Sequence, residues 1–128
     1  MSATIALSEE KAKPSEIVGD WEIVSASFNG NENPKAKGKK LVFGEKEFSA
    51  YDGEKKGRTL AFTLDEKATP KQFDLKNANS QKAFGIFVVQ KGEMKICYAE
   101  PGADRPKIFE SKAGEKTFLL TLKRIRKE

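Results

Sequence analysis

Ala83-Phe84-Gly85-Ile86-Phe87-Val88-Val89-Gln90-Lys91-Gly92-Glu93-Met94-Lys95-Ile96-Cys97-Tyr98-Ala99 is the stretch that decides the fold. Residues Ala83 to Gln90 are apolar on both alternating faces, as expected of a well-covered strand. Lys91-Gly92 marks a tight turn, and from Glu93 to Ala99 the apolar side chains Met94, Ile96 and Tyr98 share one face. Two strands joined by two residues form an antiparallel hairpin. Downstream, Pro101 and Pro106 mark a loop, Ile108-Phe109 suggests a brief pairing with a neighbour, and Gly114 precedes a last strand from Thr117 to Ile125. Upstream, Gln72 to Leu75 follows a turn containing Pro70. Thr59 to Leu64 alternates with Leu60, Phe62 and Leu64 on one side. Lys40 to Phe43 and Glu47 to Tyr51 flank the turn Gly44-Glu45-Lys46, and Trp21 to Phe28 is closed by Asn29-Gly30-Asn31. A polar, Lys-rich loop runs from there to about Lys39.

These are about eight short strands joined by tight polar turns, and no amphipathic helix interrupts them. The pattern predicts an all-β, antiparallel up-and-down barrel, because short links favour pairing in sequence order and closure removes exposed edges. The fold occupies residues 15–128. Residues 1–14 are small, charged and non-periodic, and read as a flexible lead-in. Between them, Pro14 to Val18 suits a short helical turn before the Gly19 break.

Composition narrows the chemistry. The 128 residues hold 24 Lys+Arg against 19 Asp+Glu, a net charge of +5, and no histidine. Without histidine the chain lacks the usual general base near neutral pH, the His-activated nucleophiles and the commonest metal ligand. The lone Cys97 excludes an intramolecular disulfide or a multi-thiolate zinc site. No metal or cofactor site is expected, and no phosphate-binding glycine loop is present. Lysines and acids are interspersed, which points to solubility and away from nucleic acid. The basic cluster Lys123, Arg124, Arg126 and Lys127 reads as a solvated run. No stretch has the length of a membrane-spanning helix and no leader peptide is legible, so a soluble chain without membrane insertion is expected. An exported mature form would read the same, and the compartment stays open.

Gly19-Asp20-Trp21 entering the first strand resembles the Gly-x-Trp start of lipocalins and other calycins. In those barrels the Trp plugs one end against a basic side chain of the last strand. Arg124, in phase with Phe118, Leu120 and Leu122, is the matching residue here. Gly85-Ile86-Phe87 and the run Met94 to Pro106, with Phe109 beyond, resemble the C-terminal half of a lipocalin-like family abundant in planctomycete bacteria. The likeness extends from about Ile17 to Arg124. It implies the calycin-type barrel with Gly19, Trp21 and Arg124 as its structural signature, and it implies no activity.

Candidate functional residues are few. Phe43, Phe48, Phe62, Phe84, Phe87 and Phe118 are assigned to the core. Cys97 lies opposite the Met94, Ile96, Tyr98 face, which leaves its burial open. Pro101-Gly102-Ala103-Asp104-Arg105-Pro106 is the most pointed polar feature: two prolines stiffen it, and Arg105 is one of four arginines. Arg105, Asp104, Tyr98 and Glu100 are the candidate ligand- or partner-binding set, at the mouth of the barrel. The competing reading makes the same loop a structural strut. The leading expectation is a non-catalytic binding or interaction module for a protein partner or small molecule. The alternatives are a carrier of a small apolar molecule in the barrel interior and, third, an enzyme using Asp104, Arg105 or Tyr98.

Overall fold

The structure, a computed structural model, describes residues 17–77 and 80–125. Among the described residues there are nine strands: β1 (Gly19–Phe28), β2 (Asn31–Glu32), β3 (Lys40–Phe43), β4 (Glu47–Asp52), β5 (Lys55–Asp65), β6 (Lys71–Lys76), β7 (Lys82–Gln90), β8 (Glu93–Ala99) and β9 (Thr117–Arg124). From β3 to β9 every strand pairs antiparallel with its sequence neighbour, and β1 pairs with both β3 and β9. Eight strands therefore close an up-and-down barrel, and the two-residue β2 adds an extra pairing at the end of β1. Closure gives each barrel strand a partner on both sides for part of its length, and within those stretches the backbone groups of a sheet edge are satisfied.

Inward side chains come from alternate positions of each strand, and aromatic rings fill the centre. Phe43 stacks on Phe48 with centroids 4.8 Å apart, Phe62 on Phe73 at 5.3 Å, and Phe87 meets Phe73 edge-on at 6.1 Å. Around them lie Trp21, Ile23, Leu41, Leu75, Met94, Ile96 and Leu122, all buried. The tight centre has a backbone cause at Gly85. A Cβ there would lie 2.6 Å from the Cys97 carbonyl oxygen and 2.7 Å from the Tyr98 Cβ, so only glycine lets β7 and β8 approach this closely.

Strict alternation fails in β1. The register against β9 slips between Ile23 and Ser25, so Val24 is an extra residue. Trp21 and Ile23 face the core before the bulge, and Ala26 faces it after. Without the bulge, Ser25 and Ser27 would be driven inward.

Several expectations need correction. Phe84 is on the outer face of β7, half-buried, because its neighbours Ala83 and Gly85 take the inward phase. Ile108-Phe109 forms no strand; the pair lies in the long β8–β9 loop, with Ile108 more than half exposed. The loop after β1 is not merely polar: it carries β2 and a 3-10 helix, Pro34–Ala36, whose N-cap Asn33 side chain accepts from the Lys35 amide. β5 starts four residues earlier than expected, at Lys55, and β9 stops at Arg124. The lead-in 1–14 and most of the expected helical turn lie outside the described residues, as do Arg126 and Lys127. Among the described residues no helix is long and apolar enough to cross a membrane.

Candidate functional site

The barrel has one plugged end. Trp21 is fully buried, its indole N–H donates to the Ile17 carbonyl at 2.9 Å, and Ile17 packs beneath it. Phase places Arg124 inward at the end of β9, opposite Trp21 in register. Its guanidinium carbon lies 4.3 Å from the ring centroid and Nη1 donates to the Val18 carbonyl at 3.0 Å. A cation over an indole face is attracted by the ring quadrupole, and the carbonyl takes one of its donors. Gly19, with a φ of 132°, makes the room: a Cβ there would lie 2.8 Å from Arg124 Nη1.

Residues 100–116 form a strap across the outer wall. Arg105 reaches over β7 to β6, where Nη1 and Nη2 donate to the two Asp74 carboxylate oxygens and Nη1 also donates to the Gly85 carbonyl at 2.8 Å. The guanidinium covers Phe84 at 5.1 Å from its centroid. Further along, the Ser111 hydroxyl donates to the Thr117 carbonyl and accepts from the Gly30 amide, and the Gly114 amide donates to Asn29 Oδ1. Glu100 opens the strap through its backbone, donating to Lys116 O and accepting from Ala103. Asp104 is exposed. Under the strap lie Ile86, Cys97 and Ala99, all buried on the outward face. The Cys97 thiol donates weakly to the Glu110 carbonyl at 3.6 Å. Burial pushes this thiol up from its ordinary pKa, the Glu110 contact partly opposes that, and the Glu115 charge adds to it. Such a thiol has little thiolate and little reactivity.

Tyr98 is elsewhere. It points into the barrel at the end opposite Trp21, stacked on Phe118 at 4.8 Å, and Phe118 stacks on Phe28 at 4.2 Å. The candidate set is therefore not one site: Tyr98 is inside the sheet, whereas Arg105 and Asp104 are outside it. Successive residues of a strand face opposite sides, and the strap runs on the side Tyr98 does not face. Burial pushes the Tyr98 phenol up to about 12, against an opposing pull from the Arg58 cation. Arg58 is exposed, and among the described residues it makes no hydrogen bond or ion pair. It is missing from the sequence-derived set, because the sequence places the start of this strand at Thr59 and the bulge at 57–58 interrupts the alternation that Leu60, Phe62 and Leu64 follow. The end that Trp21 leaves open thus carries three stacked, half-buried rings and an exposed cation.

Among the described residues no group of three acids or thiols is placed to hold a metal ion. Comparison of the chain with protein-family models, curated proteins and solved structures finds no match.

Proposed function

We propose that this protein is a non-catalytic binding or interaction module on a lipocalin-like barrel, and that its contact surface is the open end. The observation that carries the reading is the Phe28–Phe118–Tyr98 ring stack at the end that Trp21 and Arg124 do not plug, with the Arg58 charge near enough to act on the Tyr98 phenol. Support comes also from the filled interior, where rings at 4.8–6.3 Å occupy the space an internal apolar ligand would need. The separation of Tyr98 from Arg105 and Asp104 speaks against a catalytic constellation of those three residues. Kinship with the planctomycete lipocalin-like family belongs to the same proposal, resting on Gly19, Trp21 and Arg124 in their shared arrangement.

The test is an NMR titration of labelled protein with phenylacetate as a small aromatic anion. Resonances of Phe28, Arg58, Tyr98 and Phe118 are expected to shift, with weaker binding in Arg58→Gln. Shifts confined to the strap would overturn the assignment. A native mass spectrum of freshly purified protein showing a stoichiometric apolar ligand would replace the reading with that of a carrier.

A further inference from the structure

β5 has 11 residues and β6 has six. The β5–β6 register runs only from Ala61 opposite Lys76 to Asp65 opposite Gln72. Residues 55–60 of β5 therefore overhang. They pair with β4 on one side, through Lys55, Lys56, Thr59 and Leu60, with a bulge that sets both Gly57 and Arg58 opposite Ala50 and returns Lys56 to the outward phase of its partner Tyr51, and among the described residues have no strand on the other. The Phe62 amide donates to the Lys46 carbonyl on the β4 side. Alternation then turns the N–H and C=O of Thr59 toward the vacant edge.

The charge around this edge is predominantly positive. Lys56 and Arg58 lie along the overhang, and Lys76 and Lys82 stand directly opposite each other at the corner where β6 ends and β7 begins. Among the described residues none of the four makes an ion pair. Like charges facing across a ladder repel, so an anion between them relieves strain already present. Asp52 faces Lys55 across the ladder at the far tip, and Glu54 lies in the hairpin turn. Beside the corner is a cleft of about 210 Å³ lined by Ala61, Thr63, Asp74, Lys76 and Lys82. Its one carboxylate, Asp74, is already neutralised by Arg105.

We propose that the overhanging edge of β5 binds an extended acidic segment of a partner protein, which adds as a further strand. This rests on the binding-module reading above and names the partner's chemistry. Main-chain hydrogen bonds along a vacant edge supply affinity, and side-chain fit supplies selectivity. Acidic side chains on the outer face meet Lys56, Lys76 and Lys82, and alternate apolar ones face Leu60. The same lysines repel a second copy of this chain, a known protection of strand edges.

The test uses a fluorescent octapeptide alternating Glu and Val, its Lys and Val counterpart, and amide hydrogen exchange. The acidic peptide is expected to bind, to slow exchange at the Thr59 amide, and to lose about tenfold or more in affinity in Lys56→Glu/Lys76→Glu. Both lysines are exposed, so the variant folds, and Thr59→Val is expected to bind as the parent does. Equal binding of the Lys peptide, an unchanged affinity in the double variant, or self-association of the parent overturns the proposal. Shifts at Phe28, Tyr98 and Phe118 without protection of Thr59 overturn it while leaving the open-end reading standing. No response of the open end to either phenylacetate or peptide ends both.

Discussion

Gly19 makes the plugged end possible at the level of one residue. Its φ of 132° is a conformation that side-chain-bearing residues resist, and its missing Cβ leaves space for the Arg124 guanidinium. Gly19→Ala is expected to cost about 1–3 kcal/mol of stability, through backbone strain and displacement of the cation from Trp21. Thermal unfolding followed by tryptophan fluorescence measures it, and an unchanged midpoint would contradict this account. Tyr98 gives a second residue-scale prediction. Its phenol is held at about 12 in the folded state, against an ordinary value of 10.0. The unfolded chain therefore loses this proton first as pH rises, and stability falls between pH 10 and 12, by about 1.4 kcal/mol per pH unit from this group at most. The slope should disappear in Tyr98→Phe, as followed by urea unfolding across that range.

The strap is the element held most by partners distant in the chain. Arg105 meets Asp74, 31 positions away in the chain, and its second bond to the Gly85 carbonyl fixes the strap over β7. Hydrogen bonds to charged groups contribute about 1.5–3 kcal/mol, so Arg105→Ala is expected to lower stability within that range. The loss should also be local. With its latch removed, the strap opens more often and Cys97 becomes reachable. Labelling of native protein by a thiol reagent is then faster in Arg105→Ala than in the parent, by more than the change in global stability explains. A rate that is unchanged would mean that the Ser111 and Gly114 contacts hold the strap alone. This arrangement favours the strut reading of the loop over the site reading.

For the whole molecule, stability rests on one aromatic core enclosed by a sheet that closes between β1 and β9. Phe73 is its hub, within 6.3 Å of Phe43, Phe48, Phe62 and Phe87 by ring centroids. Phe73→Ala is expected to cost about 3–5 kcal/mol, a large share of the roughly 5–15 kcal/mol that holds such domains folded. Urea unfolding by circular dichroism should show a lower midpoint with the slope retained. A small shift would mean that the neighbouring rings collapse into the space.

Strand by strand, much of this was legible in the residues themselves. Period-two runs and glycine turns determined an all-β chain of about eight strands in sequence order, and the phase of Arg124 put it on the Trp21 side of the last strand. These are local properties: a strand alternates whatever it pairs with, and a turn needs only its own residues. The bulge at Val24, the outward turn of Phe84, the burial of Cys97 and the Arg105–Asp74 pair were decided only by tertiary structure. Each depends on what a segment far away in the chain lays against it. The overhang of β5 is of the same kind, since it arises from the unequal lengths of two strands once they are paired. A polar loop takes its hydrogen-bond partners from the wall on which it lands, and no periodicity in the loop specifies that wall.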